Sequence, residues 1–255
     1  MTDFEIKITR DRNDIQESQR LRFEVFNLEM QKGLKSSYQR GLDVDDFDPV
    51  CDHLIVRDLN NGLVVGTYRL LLGSDARRHF GFYSEREFNL DQIKKLDSKL
   101  LEMGRTCTHK DYRDKALLLH MWDAIANYVK AHQVRYLFGC ASLYTSEPRE
   151  VNESFSLLKE RHYAPEELRV QPLPDKAFPG LDEKIEIRDE QTVFSRLPSL
   201  INGYLRAGAL LCGPPALDLE FGTTDLFLLL DVEKMSSEYL RRFGFMGPGV
   251  QGAVG

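Results

Sequence analysis

Alternating apolar and charged positions near the start of the chain predict a β-strand. Residues 4–8 follow this alternation, which is typical of a strand with one buried face. Two further apolar runs, over residues 53–56 and 63–71, flank an Asn-Gly turn at 60–62. Such a turn between two apolar runs indicates a β-hairpin, which we expect to follow the first strand and an intervening helix.

Helices are predicted where apolar residues recur every three or four positions. Asn13 or Asp14 is expected to cap a helix that extends to about residue 30. The longest amphipathic pattern predicts a helix over residues 116–132. Shorter patterns predict helices over 91–96, 148–161, 198–207 and 236–242, strands over 100–107, 135–143, 210–212 and 225–231, and irregular segments over 31–49 and 164–182.

The order of these elements predicts the fold class. Hairpin pairing combined with one βαβ-like crossover indicates an α/β (α+β) fold of three layers around a central mixed, mostly antiparallel sheet. A chain of 255 residues fits one domain with a C-terminal extension. We expect a single domain over 1–243, with its core motifs in 1–145 and a C-terminal half over 146–243. The Gly-rich segment 244–255 is expected to be a disordered tail.

Composition and charge exclude several classes of protein. The net charge of −6 argues against nucleic acid as a partner. The N-terminus lacks a signal-peptide pattern, and no apolar run reaches the roughly 18 residues of a membrane span, so we expect a cytoplasmic protein. The four cysteines lie far apart, without CxxC spacing or a Cys/His ladder, which argues against a zinc site and predicts no bound metal.

The strand over 100–107 carries an acid and a base among apolar residues. Glu102 and Arg105 lie three positions apart, and a buried strand holds such residues when they are paired or used in chemistry. Apolar neighbours would raise the pKa of Glu102 towards that of a general base, while Arg105 would lower it. A simple ion pair between Glu102 and Arg105 is the alternative interpretation.

A basic turn follows this strand and precedes the long helix. Lys110, Arg113 and Lys115 lie in it, and a basic turn at a helix N-terminus is a site where a phosphate group can bind. The alternative is a solvated basic turn without a ligand.

Several ordered segments together resemble a known group of enzymes. Residues 21–26, 45–48, 65–71 and 102–105 resemble the acyl-homoserine-lactone synthases, a branch of the GNAT-like N-acyltransferases. A fuller resemblance, to the ornithine N-acyltransferases of bacterial ornithine-lipid synthesis, adds six segments: 47–54, 82–85, 112–113, 137–142, 200–206 and 221–225.

The resemblance implies a reaction and its substrates. It implies a GNAT-like fold and transfer of a 3-hydroxyacyl chain from acyl carrier protein to the α-amine of L-ornithine, the first step of ornithine-lipid synthesis. The donor would be the acyl-phosphopantetheine of the carrier, with no tightly bound cofactor. Acetyl-CoA-dependent relatives have a Gly-rich loop where this chain has the basic turn, and this difference argues against tight binding of a CoA pyrophosphate.

The resemblance also implies roles for particular side chains. Glu102 and Arg105 would be catalytic, and the basic turn would hold the phosphopantetheine arm or the acidic carrier protein. Four charged side chains would bind the zwitterionic acceptor, because arginine grips a carboxylate and aspartate holds an ammonium: Arg22, Asp45, Asp48 and Arg69. The alternative is that these charges only fix the long loop to the sheet.

Other readings of the sequence stay open. Another acceptor such as glycine or tyrosine, a homoserine-lactone-type signal synthase, and a non-enzymatic carrier-binding or lipid-binding module are the alternatives. Peripheral contact with the inner membrane is expected through Arg241 and Arg242 and the apolar residues Phe243, Phe245 and Met246. An acyl slot is expected among Trp122, Met121, Phe138, Leu143 and Phe155, although such residues also form ordinary cores.

Overall fold

An eight-stranded mixed sheet is the centre of the fold. The computed structural model describes residues 3–96, 99–113, 115–182 and 184–243. The strands are β1 (Phe4–Thr9), β2 (Asp52–Asp58), β3 (Val64–Leu72), β4 (Phe88–Asn89), β5 (Leu100–Thr108), β6 (Tyr136–Leu143), β7 (Gln171–Pro172), β8 (Leu210–Leu211), β9 (Ala216–Asp218) and β10 (Thr223–Asp231). The main sheet has the order β1-β2-β3-β5-β6-β10-β8, β9 also pairs with β10, and β4 and β7 form a separate pair.

The pairing in the main sheet is antiparallel except between β5 and β6. These two parallel strands are joined through the long helix, which is the expected crossover. The predicted mixed, mostly antiparallel sheet is therefore confirmed. The helices are α1 (Arg12–Arg22), α2 (Gly73–Arg78), α3 (Asp91–Lys94), α4 (Lys115–His132), α5 (Pro148–His162), α6 (Glu190–Arg196), α7 (Ser199–Ala207) and α8 (Ser237–Arg242).

Helix α1 differs from its prediction at both ends. Its cap is Asp11, whose carboxylate accepts hydrogen bonds from the backbone of Asn13 and Asp14, so the predicted caps are the first-turn donors instead. Its last turn continues as a π-helix over Phe23–Glu29. Such a local change in helix winding is frequent at functional sites.

Helices cover both faces of the sheet. On one face, α4 buries Leu117, Met121 and Ile125 against residues of β2, β3 and β5. On the other, Leu21 and Val25 pack against Cys107. Helices α5 and α7 form a further apolar cluster with the C-terminal strands β6 and β10. These layers agree with the predicted three-layer arrangement.

Short elements explain most differences from the predicted secondary structure. Helices α2 and α6 and strand β9 were not predicted, because elements of three to seven residues carry too few positions for a periodic pattern. The irregular segment 164–182 contains β7, which pairs with β4.

No helix of the described ranges is both long enough and apolar enough to cross a membrane. The expected membrane-contact surface is wrong at Phe243, because this side chain is buried and its ring stacks on Trp122. The predicted tail over 244–255, and with it Phe245 and Met246 of that surface, lies outside the described residues.

The separation of β5 and β6 creates the space for a site. The two strands pair only over Leu100–Glu102 and 136–138, and no pairing joins the rest of the two strands. At Gly139 the strands still lie close, since a Cβ atom there would be 2.2 Å from the carbonyl oxygen of Met103. A β-bulge follows in β5, where Thr67 pairs with Cys107 but Arg69 pairs with Gly104.

Candidate active site

A cleft of about 140 Å³ lies where β5 and β6 diverge. Its walls are the second half of β5, the facing part of β6, the turn Tyr83–Arg86, helix α7 and the segment 218–225. Glu102, Arg69 and Arg105 line it, and so do apolar side chains such as Phe26 and Ile201. The cleft therefore combines charged groups with an apolar wall, as a site for an amphiphilic substrate requires.

Glu102 is held by three hydrogen bonds from one turn. The backbone N–H of Tyr83 donates to Oε2 at 2.7 Å, while the backbone N–H and the hydroxyl of Ser84 donate to Oε1 at 2.7 and 2.5 Å. The residue is 5% exposed and still lines the cleft. Because Oε2 accepts one of these bonds, it keeps a lone pair for a further donor.

The environment of Glu102 raises its pKa. Burial disfavours the carboxylate, and this effect exceeds the opposing hydrogen bonds from Ser84 and Tyr83 and the positive charge of Arg69. The expected direction is confirmed, and Arg69 is the charge among the largest causes that oppose it. The alternative ion pair between Glu102 and Arg105 is wrong, since Arg105 pairs with Asp43 and Asp45.

Three arginines and three aspartates form a continuous network beside the cleft. Each arginine contacts two carboxylates, and the closest contacts lie between 2.6 and 3.5 Å. Gln19 of α1 donates a further hydrogen bond to Asp48. The members are Arg22 with Asp43 and Asp48, Arg69 with Asp45 and Asp48, and Arg105 with Asp43 and Asp45. The network joins α1, the segment 31–49, β3 and β5.

The members of this network differ in their access to the cleft. Arg69 and Arg105 line it, whereas Arg22 is fully buried and its guanidinium is used by Asp43 and Asp48. Asp45 bridges the two cleft arginines. Arg22 and Asp48 therefore do not line the cleft and support the residues that do. Arg69 lines the cleft, and Asp45 contacts Arg69 next to it. Substrate contact by these residues stays a prediction.

Burial and charge act in opposite directions on the aspartates. Burial alone would raise the pKa of Asp45, but the charges of Arg69 and Arg105 hold it down at about 2. The pKa of Asp48 is likewise lowered, because Arg22 and Arg69 together outweigh its burial. These carboxylates therefore stay ionised and cannot serve as proton acceptors at neutral pH.

Arg105 sits at the bulge of β5 with a φ of 50°. The bulge turns its side chain to the cleft, where the guanidinium lies 4.6 Å from the ring centroid of Phe221 and 5.3 Å from that of Tyr83. A strained backbone at a positive φ is tolerated where the surrounding contacts fix it, and such positions cluster in functional sites.

The basic turn follows β5 directly, and neither Lys110 nor Arg113 lines the cleft. Arg113 makes two hydrogen bonds of 2.6 Å to the carboxylate of Glu29, and Lys110 is exposed. The side chain of Lys115, at the start of α4, lies outside the described residues. Binding of a phosphate by this turn stays a prediction, and Arg113 would share its charge with Glu29.

Several sequence candidates lie elsewhere. The five residues of the expected acyl slot do not line this cleft, since they belong to apolar clusters or pack against one: Trp122, Met121, Phe138, Leu143 and Phe155. The apolar wall comes instead from the π-helix and α7, through residues such as Met30 and Leu200.

Cys107 and Cys140 are unsuited as nucleophiles, because burial raises the pKa of both thiols.

A second acidic group in the cleft was not recognised from the sequence. Glu87, Asp218 and Asp225 lie together, and Asp218 and Asp225 line the cleft. The pKa of Glu87 is raised to about 9. Burial is the largest cause, and the negative charges of Asp225 and Asp218 are the next largest. The segments 82–85 and 221–225, on which the resemblance partly rests, adjoin these residues and were the available signal.

One subset of these residues has the donor atoms of a small cation site. Ligand atoms of Glu87, Cys140 and Asp225 all lie within 4.8 Å of one another. A buried protonated carboxyl and a thiol of raised pKa are poor ligands unless a metal displaces both protons. The prediction of no bound metal stays a prediction.

Comparisons with known proteins agree with this geometry. Residues 21–123 match the acetyltransferase (GNAT) domain family. An L-ornithine N(alpha)-acyltransferase of Rhodobacter capsulatus is 35% identical over 243 residues, which cover 92% of this chain and 93% of that protein. The enzyme of the same name from Brucella abortus is 34% identical over 252 residues, which cover 94% of this chain and 88% of that protein.

Solved structures share the fold at low sequence identity. The AHL synthase LasI aligns with a TM-score of 0.56 and 12% identity, covering 98% of this chain and 100% of that chain. FeeM, an N-acyl amino acid synthase from uncultured soil microbes, aligns with a TM-score of 0.55 and 10% identity, covering 96% and 98%. The chain is an acyltransferase with a GNAT-like fold, and it belongs to the family of the L-ornithine N(alpha)-acyltransferases.

Proposed function

We propose that this chain transfers a 3-hydroxyacyl group from the phosphopantetheine thioester of acyl carrier protein to the α-amine of L-ornithine. The observation that carries the proposal is the placement of Glu102, a buried carboxylate of raised pKa, in the cleft between the diverging strands β5 and β6. The relatives from Rhodobacter capsulatus and Brucella abortus, both named for ornithine acylation, support this acceptor.

The chemistry requires removal of one proton before bond formation. Glu102 accepts a proton from the α-ammonium of the acceptor, and the neutral amine attacks the thioester carbonyl. The carbon–nitrogen bond forms and the carbon–sulfur bond breaks. The second proton of the amine leaves with the thiolate, so the products are the amide and the free thiol of phosphopantetheine.

Arg69 and Arg105 provide positive charge in the same cleft. Either guanidinium can bind the α-carboxylate of the acceptor, which would place the amine beside Glu102. Asp45 accepts hydrogen bonds from both arginines and so fixes their positions. The apolar wall formed by Phe26, Met30 and α7 would receive the acyl chain.

The donor would enter from the end of the cleft at which the strands diverge most. The basic turn with Lys110 and Arg113 follows β5 directly at this end, and α4 begins there. Positive side chains and the N–H groups of a helix start favour a phosphate and an acidic carrier protein.

A product assay tests the reaction directly. The purified full chain is incubated with 3-hydroxyacyl carrier protein and single amino acids, and N-acyl products are quantified by mass spectrometry. We expect N-acylornithine as the main product. Turnover confined to glycine or tyrosine would refute the proposed acceptor, and tight binding of the carrier protein without turnover would refute the reaction.

A variant of the basic turn tests the donor. Replacement of Lys110 and Arg113 by Ala is expected to raise KM for the carrier-bound donor with little change in kcat. The matched control is Lys95→Ala, an exposed lysine outside the turn. An unchanged KM in the double variant would refute docking at this turn.

A further inference from the structure

We propose that Glu87, Asp218 and Asp225 form the subsite for the side-chain ammonium of the acceptor, and so select a diamino acid. This inference rests on the proposed function, because it assigns the part of the cleft that recognises the far end of the acceptor. The three residues form one group, named here the acidic subsite.

The acidic subsite contains a buried acceptor atom without a partner. Glu87 is 4% exposed, and its Oε2 atom accepts no hydrogen bond from a neighbouring donor, although the carboxyl group shares a proton with Asp225. Its carboxylate lies within 4.8 Å of the ligand atoms of Cys140 and Asp225, which line the cleft. A buried polar oxygen that no donor reaches is costly, and a bound ammonium that replaces the proton shared by Glu87 and Asp225 would donate to it.

The acidic subsite also lacks a counter-charge within the described part of the chain. No Lys, Arg or His nitrogen there forms an ion pair with Glu87, Asp218 or Asp225. Lys32 lines the same cleft, but it donates to the carbonyl oxygen of Gly222. The aspartates of the arginine network differ sharply, since each of them contacts two guanidinium groups.

The local hydrogen bonds leave room for an ammonium. Asp218 accepts from the backbone N–H groups of Glu220 and Phe221, and Asp225 accepts from the hydroxyl of Thr223. These donors fix the carboxylates without neutralising them. An ammonium carries three donors and fits a group of several carboxylate oxygens.

The acidic subsite lies next to the catalytic carboxylate. Ser84 donates to Glu102, and the thiol of Cys140 donates to the hydroxyl of Ser84 at 3.3 Å. Cys140 in turn neighbours Glu87 and Asp225. One acceptor molecule can therefore present its α-amine to Glu102 and its side-chain ammonium to the acidic subsite.

The test compares ornithine with norvaline, which has the same carbon chain without the side-chain amine. With the 3-hydroxyacyl carrier protein as donor, we expect the wild-type chain to prefer ornithine in kcat/KM on the order of 10²-fold. In Asp225→Asn and in Glu87→Gln this preference should fall at least about tenfold.

Asp231→Asn is the matched control. Asp231 is a buried carboxylate at the other end of β10, paired with Arg135, and its replacement should leave the ornithine preference unchanged. Thermal unfolding without substrate is measured for all variants. Asp225→Asn should be at least as stable as wild type, because it removes a charge that neighbouring acidic groups disfavour. Glu87→Gln should change stability little, since Glu87 already carries a proton at neutral pH.

Other outcomes overturn the inference in distinguishable ways. Equal use of ornithine and norvaline by the wild-type chain overturns it and leaves acyl transfer intact. Variants that lower both activities equally assign the residues a structural role instead. Activity lost in EDTA and restored by zinc assigns them to a metal. Failure of the wild-type chain to acylate any amino acid overturns the proposed function itself.

Discussion

Ser84 donates both its backbone N–H and its hydroxyl group to the same carboxylate oxygen of Glu102, at 2.7 and 2.5 Å. Two donors from one residue fix the orientation of the carboxylate, and they stabilise its charged form against the effect of burial. Ser84 thereby lowers the pKa of Glu102 relative to burial alone.

Ser84→Ala should make Glu102 harder to ionise. Burial raises the pKa of Glu102, and the hydroxyl of Ser84 is one of the contacts that lower it. Its removal raises the pKa further, so the acid limb of kcat/KM should move to higher pH. The measurement is a pH–rate profile of both proteins. Ser37→Ala, a buried serine outside the cleft, is the control. An acid limb that stays in place would contradict the assignment.

Glu102→Gln should remove the proposed general base. We expect kcat to fall by a factor on the order of 10²–10⁴, the usual effect of losing a positioned base. Steady-state kinetics with saturating donor and acceptor measure it, and circular dichroism checks the fold. Activity at the wild-type level would show that the amine loses its proton elsewhere.

Arg22→Met should destabilise the chain strongly. The guanidinium is fully buried, and without it Asp43 loses one of its two arginine partners and so does Asp48. A broken buried ion pair costs about 3–5 kcal/mol, and urea unfolding measures this loss. Arg20→Met, at an exposed position of α1, should change stability little. Equal effects of both substitutions would refute the supporting role of Arg22.

Stability should fall in acid because of the arginine network. The pKa of Asp45 is about 2 in the folded chain, below its ordinary value. Its contribution, about 2 kcal/mol, is therefore complete above about pH 4 and is lost as the pH falls towards 2. Urea unfolding between these pH values measures the slope. Asp45→Asn should flatten it, and an unchanged slope would contradict this origin.

Two glycines beside the cleft should respond differently to alanine. At Gly139 a Cβ would lie 2.2 Å from the carbonyl oxygen of Met103, so Gly139→Ala must push β5 and β6 apart. We expect a loss of about 1–3 kcal/mol in unfolding free energy. Gly104→Ala has no atom within 4 Å of the new Cβ and should cost far less. Comparable losses in both variants would refute the close approach of the strands.

The sequence alone was sufficient for the larger elements and for the general nature of the site. Alternation in β1 to β3, the crossover through α4 and the buried acid Glu102 all follow from local patterns, because burial of one face leaves a periodic trace in the chain. The four ordered segments around Arg22, Asp45, Arg69 and Glu102 also indicated the family.

Only the tertiary structure decided how the charges are distributed. The pairing of Arg105 with Asp43 and Asp45 instead of Glu102 depends on a bulge in β5, which leaves no periodic trace in the sequence. The acidic subsite depends on residues brought from distant parts of the chain, Glu87 and Asp225. Ion pairs and pKa shifts arise from distances across the fold, and spacing along the chain does not determine those distances.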